Sequence, residues 1–155
     1  MIKTERLIIR VSSDDEMREL ISEQTIEELK TAYGEMLASC EANPEQRQWY
    51  AAWFIELPTG ERIGELCFKG VSADGATEIG YGILSEFWGR GYATEAVKAV
   101  TEWALSEPNV NRITAETEED NIASRRVLEK AGFVPTGLNG EEGPLFVKAA
   151  EELLK

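Results

Sequence analysis

The stretch EFWGRGYATEA combines residue types that can bind an anion. Gly89 and Gly91 stand directly before a segment of helical periodicity that begins at Tyr92. Glycine lets the backbone curl and carries no Cβ, so a bulky anion can reach the N–H groups left free at a helix start. Arg90 and Thr94 are candidates for side-chain contacts to the same anion. We therefore predict a phosphate cradle here, although a Gly-Xaa-Gly turn is by itself more often an ordinary loop.

The cradle does not match two common nucleotide-binding motifs. The Walker pattern GxxxxGK[ST] is absent from the chain. A dinucleotide-binding fingerprint places its glycines after the first strand of a βαβ unit, with an acidic residue about 20 positions later. Here the glycines follow a predicted hairpin and a third strand. Binding of an NAD-type dinucleotide is therefore disfavoured.

Composition excludes several function classes. The chain has 155 residues, a net charge of −13 and no histidine. The acidity argues against nucleic-acid binding, because no basic stripe is present to neutralise phosphates. It is compatible with a cationic substrate such as an amine, or simply aids solubility. The lack of histidine argues against a zinc site and a Ser-His-Asp triad, so we expect no metal.

The same sequence indicates a cytoplasmic protein. Cys40 and Cys67 form no CxxC pair and are expected to be reduced. The longest apolar run, YAAWFI, is too short to cross a bilayer, and the first ten residues lack an apolar stretch of signal-peptide length. We therefore expect no membrane partner.

Periodicity predicts the elements that position the cradle. The predicted strands are 4–11, 49–57, 62–70, 77–84 and 110–117, followed by two short strands, FVPTG and PLFVKAA. One long or two short helices, opened by a capping-box pattern from Ser13 to Glu16, precede Asn43-Pro44. Further helices cover 92–105 and 122–131, and Gly132 suits a left-handed cap after the last of them, with Phe133 folding back behind it. The fold class is α+β, with a mixed, mainly antiparallel sheet of about seven strands and about four helices. Residues 1–155 are expected to form one domain.

Two segments in this order resemble the GNAT superfamily of acetyl-CoA-dependent N-acetyltransferases. They are EIGYGILSEFWGRGYATEAVKAV and ITAETEEDNIASRRVLEKAGF. With the early TERLIIR, the chain is most similar to the branch that contains the RimJ/RimL-like ribosomal-protein N-terminal acetyltransferases. The resemblance extends over residues 4–133. It implies a GNAT-like fold, acetyl-CoA as the acetyl donor and an amine as the acceptor.

In this family the cradle binds the diphosphate of coenzyme A, and strand 77–84 splays from strand 110–117 to admit pantetheine. The backbone near Ile83 and Leu84 is then expected to polarise the thioester carbonyl. Trp88 stands where the family pattern has Gln or Arg, which removes one polar contact. The implied cofactor-binding residues are Ile83, Leu84, Gly89, Arg90, Gly91, Tyr92, Ala93, Thr94 and Asn121.

Amide formation needs an acceptor for the proton of the amine, and a carboxylate suits this task. By resemblance, Glu78 is the first candidate and Glu116 the second, while each could instead be a strand-end carboxylate facing water. Leu128 occupies the position where many relatives carry a tyrosine acid. Ser124 or water is therefore left to protonate the thiolate.

Several residues of these segments have a plain structural alternative. Asn121 could serve only as a helix N-cap, since asparagine is among the preferred residues there. The aromatic side chains Tyr33, Trp49, Trp53 and Tyr81 are candidates for the acceptor pocket, although such residues are more often core.

The sequence thus predicts an N-acetyltransferase that moves an acetyl group directly to a primary amine, either a protein N-terminus or a small molecule. A catalytically inactive coenzyme A-binding module on the same fold is the alternative. The resemblance also makes a homodimer possible, although no residue pattern requires one.

Overall fold

An eight-stranded sheet organises residues 1–150, the part of the chain that this computed structural model describes. The strand order is β1-β2-β3-β4-β5-β6-β8-β7, and every neighbouring pair is antiparallel except β5 and β6. The strands are β1 (Ile2–Lys3), β2 (Ile8–Val11), β3 (Ala52–Glu56), β4 (Arg62–Phe68), β5 (Ala76–Ile83), β6 (Arg112–Glu116), β7 (Val134–Asn139) and β8 (Pro144–Ala149). The predicted α+β class is confirmed.

The count is eight rather than about seven because β1 (Ile2–Lys3) precedes the first predicted strand, 4–11, and β2 occupies only the second half of that segment. Residues 4–7 form a turn, in which the Thr4 N–H donates to the Leu7 carbonyl (2.9 Å). The strand pattern of 4–11 therefore begins properly only at Ile8. The last five residues of the predicted domain, 151–155, lie outside the described range.

Four α-helices flank the sheet: α1 (Asp14–Glu23), α2 (Glu27–Ala42), α3 (Tyr92–Ser106) and α4 (Ile122–Lys130). Helix α1 begins with the predicted capping box, in which Ser13 and Glu16 exchange hydrogen bonds. Two short 3₁₀ helices, Pro44–Trp49 and Ser85–Phe87, complete the set. None of the helices within residues 1–150 is long and apolar enough to span a membrane.

The end of α4 follows the predicted glycine cap. Gly132 has φ +102°, a left-handed conformation that favours glycine. The Phe133 N–H donates to the Leu128 carbonyl (2.9 Å), and the Gly132 N–H donates to Glu129 (3.1 Å). These two bonds are the Schellman pattern, and they turn Phe133 back into the core.

The two sheet faces are covered by different helix pairs. Strand residues such as Leu66, Phe68 and Ile79 belong to a core that includes the buried face of α3 and Leu128 of α4. We call this side the α3–α4 face. On the opposite side Phe54 packs with Leu20 of α1, and we call it the α1–α2 face. Because side chains alternate along a strand, each position of β5 can be assigned to one face.

The sheet ends in two unlike edges. Strand β1 has two residues, whereas all six residues of β7 are exposed. The pairing of β7 with β8 shifts register between Pro135 and Asn139, so this edge is irregular.

Leu128 should be a main anchor of α4. Leu128→Ala should lower the free energy of unfolding by about 2–5 kcal/mol, because the buried side chain leaves a cavity. Urea denaturation measures this change. The matched control is Ile122→Ala on the same helix, where the side chain is 62% exposed, and there the change should stay within about 0.5 kcal/mol. Equal losses in the two variants would contradict the assignment.

Candidate active site

The parallel strands β5 and β6 separate part-way along their length. Their ladder ends where Glu78 pairs with Thr114. Beyond this point β5 continues to Ile83 beside β4 alone, and β6 continues to Glu116 beside β8 alone. A wedge-shaped opening in the sheet, which we call the gap, follows from this divergence. The predicted splay of these two strands is therefore present.

Backbone polar groups of β5 face the gap. The Leu84 N–H donates to the Ile63 carbonyl of β4 (2.8 Å). Since hydrogen bonding alternates along an antiparallel ladder, the peptide groups of Tyr81 and Ile83 point away from β4 and into the gap. Unpaired peptide groups in a half-buried strand are costly and are suited to receive the amides of a ligand.

This hydrogen bonding corrects one expectation. The N–H of Leu84 is already bonded to Ile63, and Leu84 does not line the cleft described next. Ile83, the other residue predicted to polarise the carbonyl, does present its peptide group to the gap, as does Tyr81. The local sequence could not distinguish Leu84 from Ile83, because the alternation depends on the register with β4.

A cleft of about 640 Å³ lies between α3 and α4 and reaches the gap, and we call it the α3–α4 cleft. It brings together most of the predicted binding set: Ile83, Gly89, Gly91, Tyr92, Ala93, Thr94, Asn121 and Ser124. Arg126 and Lys130 of α4 also line it. These two cations lie one turn apart on the same face of the helix.

The geometry of residues 89–94, the anion cradle, fits an anion. Gly89 (φ +76°) and Gly91 (φ +80°) both adopt the left-handed conformation, and a Cβ at Gly89 would meet open space. Helix α3 has no side-chain cap, and its first helical bond runs from Glu95 N–H to the Gly91 carbonyl (3.1 Å). The preceding N–H groups, including those of Ala93 and Thr94, are therefore left for a ligand.

Two side chains beside the cradle have other contacts. The Arg90 guanidinium lies 5.7 Å from the centre of the Phe87 ring, and Arg90 does not line the cleft. The indole Nε1 of Trp88 donates to the Ile83 carbonyl (2.7 Å). Trp88, which replaces the Gln or Arg of the family pattern, thus bonds to a backbone carbonyl of the strand that borders the gap.

Ser124 meets a tyrosine that the sequence did not assign to this side. Its Oγ lies 2.8 Å from the phenol oxygen of Tyr81, a contact that links α4 to β5 inside the cleft. Burial raises the pKa of Tyr81, and the hydrogen bond with Ser124 opposes this only partly, so the phenol stays protonated at neutral pH. Asn121 is an N-cap, since its Oδ1 accepts from the Ser124 N–H (3.1 Å), and it also lines the cleft.

The two candidate carboxylates lie on the α1–α2 face. Glu78 and Glu116 alternate with buried residues of the α3–α4 core, Ile79 and Ala115. Glu78 accepts from the Lys69 ammonium (2.6 Å), which raises the pKa of Lys69. A different constraint holds Glu116. The Glu142 N–H donates to it (3.3 Å), and the turn around Gly140 packs against its carboxylate.

A second cavity, of about 730 Å³, opens on the α1–α2 face, and we call it the α1–α2 cavity. Gly82 and Ile83 line both this cavity and the α3–α4 cleft, so the two spaces meet at the gap. A Cβ at Gly82 would meet nothing within 4 Å. The absence of a side chain there leaves free space beside the gap.

Carboxylates predominate in the lining of the α1–α2 cavity: Glu16, Glu19, Glu23, Glu56 and Glu65 accompany Arg10 and Arg62. Arg10 bonds to both Glu16 and Glu56, and it lowers the pKa of Glu16 to about 2. The single charge of Arg10 balances one of these two carboxylates, and with Arg62 as the other cation the cavity keeps a net negative lining.

Sequence reasoning missed Glu65. It pairs with Gly82 across β4 and β5, and it accepts a hydrogen bond from the Tyr33 hydroxyl inside the cavity. Burial raises the pKa of Tyr33, and the bond to Glu65 raises it further. The sequence feature that could have identified Glu65 is the glutamate among the alternating apolar residues of RIGELCF.

Of the other aromatic candidates for the acceptor pocket, Trp49 and Trp53 are core residues. Within residues 1–150, no three His, Cys, Asp or Glu side chains converge as metal ligands.

Comparisons with known proteins agree with this arrangement. The family model described as an acetyltransferase (GNAT) domain matches residues 3–134. The uncharacterized N-acetyltransferase YoaA of Bacillus subtilis (strain 168) is 32% identical over 150 residues, which cover 89% of this chain and 85% of that protein. Shorter matches to other Bacillus N-acetyltransferases span about half the length of those proteins.

Solved structures share the fold at low identity. A mutant of the spermidine N-acetyltransferase SpeG from Vibrio cholerae has a TM-score of 0.75 and 15% identity, covering 98% of each chain. RimL, a ribosomal α-N-protein acetyltransferase in complex with coenzyme A, has a TM-score of 0.73 and 19% identity, covering 96% of each chain. At this identity the likeness concerns the fold alone.

Gly89→Ala tests the cradle. A Cβ at this position would project into the space that the anion would occupy, so the Kd of coenzyme A should rise roughly tenfold or more, a loss of about 1.4 kcal/mol. Titration calorimetry measures the Kd. The matched control is Gly60→Ala, since Gly60 also has a positive φ (+93°) with open space around it but lies in the β3–β4 turn.

Both alanine variants should lose a similar free energy of unfolding, about 1–2 kcal/mol for the left-handed conformation. Only Gly89→Ala should lose affinity. Unchanged affinity in that variant would show that coenzyme A does not contact the cradle.

Proposed function

The chain belongs to the acetyltransferase (GNAT) family, and from this premise we propose that it transfers the acetyl group of acetyl-CoA directly to a primary amine of a cationic acceptor. The acceptor is a small molecule or a protein N-terminus. One observation carries the proposal: two cavities on opposite faces of the sheet meet at Gly82 and Ile83, in the gap between β5 and β6.

The α3–α4 cleft suits coenzyme A. The uncapped start of α3 offers N–H groups to the diphosphate, and Arg126 and Lys130 add positive charge in the same cleft. The peptide groups of Tyr81 and Ile83 would pair with the pantetheine amides as a strand would. When bound there, acetyl-CoA supplies the activated acetyl group as a thioester.

The α1–α2 cavity suits the acceptor. Its net negative lining attracts ammonium groups and holds a cationic amine near the gap. Amine-bearing molecules are named for two structural neighbours, a spermidine N-acetyltransferase and AAC(6')-Ib in complex with ribostamycin and coenzyme A. These names support the amine class and leave the individual acceptor open.

Each chemical task has a candidate residue. Glu78, at the last rung of the β5–β6 ladder, takes the proton of the amine directly or through water. Glu116 is the second candidate, although the turn around Gly140 covers it. The Ile83 N–H polarises the carbonyl of the thioester. The departing thiolate takes its proton from water or through Ser124, which contacts the Tyr81 phenol and recovers its own proton in the same step from that phenol or from solvent.

An amine panel tests the proposal. Purified enzyme with acetyl-CoA and either spermidine, an aminoglycoside or a short peptide with a free N-terminus should release thiol and give an acetylated product by mass spectrometry. Glu78→Gln should lower kcat strongly with little change in acetyl-CoA affinity, and Glu116→Gln should lower it less. The reverse order would reassign the base.

The same experiment separates the catalytically inactive alternative. A coenzyme A-binding module would gain melting temperature with acetyl-CoA, while thiol release stayed at background with every amine. That outcome would overturn the proposal.

A double-mutant cycle tests the proton donor. Ser124→Ala should lower kcat by less than about tenfold, because a thiol with a pKa near 8.5 is already a fair leaving group. If Tyr81 acts through Ser124, then Tyr81→Phe in the Ser124→Ala background should cause no further loss. Independent, multiplicative losses in kcat would show that the two hydroxyls do not form one relay.

A further inference from the structure

Arg6 connects the turn between β1 and β2 to the anion cradle, 84 or more residues away in sequence. Its Nε donates to a carboxylate oxygen of Glu95 (2.7 Å), and its terminal nitrogen donates to the Arg90 carbonyl (2.9 Å). The backbone N–H of Arg6 donates to the second oxygen of Glu95 (2.9 Å). The guanidinium also lies over the Tyr92 ring, 4.4 Å from its centre. One side chain thus contacts Arg90 and Tyr92 of the cradle and Glu95 in the first turn of α3.

Glu95 makes such a contact necessary. It lies in the first turn of α3, beside the N–H groups that would receive the diphosphate. Burial alone would raise the pKa of Glu95, but hydrogen bonds from Thr4 and Arg6 outweigh this effect and lower it. The carboxylate is therefore ionised at neutral pH, and without compensation its charge would repel a diphosphate.

Arg6 also fixes the shape of the turn. Its remaining nitrogen lies 3.4 Å from the position that a Cβ of Gly91 would take, so the guanidinium packs directly under this glycine. By accepting from Arg6, the Arg90 carbonyl is held on that side of the loop, away from the cleft. A carbonyl turned toward the cleft would place negative partial charge where the anion must bind.

We propose that Arg6 is a positioning residue for the diphosphate of coenzyme A, which it serves by holding the Arg90 carbonyl and the Glu95 carboxylate away from the ligand. This inference rests on the proposed function, since it assumes that the cradle binds a diphosphate. It assigns a task to the arginine of TERL that is separate from that of Arg10, whose guanidinium bonds to Glu16 and Glu56.

Donors with and without a diphosphate test the proposal. Arg6→Met should raise the Kd of coenzyme A and the KM of acetyl-CoA roughly tenfold, a change of about 1.4 kcal/mol, with kcat nearly unchanged. With S-acetylpantetheine, which lacks the diphosphate, kcat/KM of the variant should equal that of the wild type. Calorimetry gives the Kd, and thiol release gives the kinetic constants.

The matched control is Arg18→Met on α1, where the arginine pairs with Asp15 at the surface (2.9 Å). This variant should behave as wild type with both donors. If Arg6→Met fails to fold, then Arg6→Lys serves, because lysine keeps the charge but cannot bond to Glu95 and Arg90 together. A rise of threefold or more in its Kd for coenzyme A would support the proposal.

Two results would overturn the inference. One is an unchanged Kd for coenzyme A in whichever of the two Arg6 variants folds. The other is an equal loss of kcat/KM with S-acetylpantetheine, which would indicate general structural damage. A wild-type protein that binds no coenzyme A would instead overturn the proposed function itself, so the two failures can be distinguished.

Discussion

The interruption of the β5–β6 ladder beyond Glu78 is the constraint on which the rest of the structure depends. A sheet that loses pairing in its interior leaves peptide groups without partners, and each buried group of this kind costs about 1–3 kcal/mol. The fold tolerates this because β4 holds one side of the opening and β8 holds the other. Helices α3 and α4 then pack beside the opening and do not cover it, so the unpaired groups remain accessible.

Strand alternation converts this opening into two chemically different sides. Odd-numbered side chains of β5, such as Tyr81, lie on the α3–α4 face with Ser124 and the cradle. Even-numbered positions lie on the α1–α2 face, where Gly82 leaves space and Glu65 contributes charge. Under the proposed function, a donor rich in phosphate and a cationic acceptor would bind on opposite faces of one sheet and would meet at the gap, where Gly82 has no side chain.

The sequence predicted those features that depend on local chemistry. The capping box at Ser13, the glycine that ends α4, and the start of α3 after Gly91 were all identified in advance, because each rests on residues within one helical turn. The turn over the first half of segment 4–11, and the short strand β1 before it, were not predicted. This turn is held by Glu95, a partner about 90 residues away, and no local pattern reports such a bond.

In the candidate site too, the locally determined features were predicted and those that depend on distant residues were not. Most of the cradle was found because its glycines and helix start are contiguous, whereas the directions in which the Ile83 and Leu84 N–H groups point depend on the register with β4. Tyr81 was expected in the acceptor pocket and Glu65 was missed for a related reason: a period of two assigns residues to alternate faces but does not say which helix covers each face. The irregular edge at β7 carries one more consequence. Proline and a register shift there discourage a neighbouring molecule from adding a strand, and β1 is too short to serve as a template on the other side. Within residues 1–150, both edges of the sheet therefore disfavour strand addition by another molecule. The backbone groups that are left to pair lie inside the sheet, in the gap, which suits a thin, flexible chain better than another polypeptide.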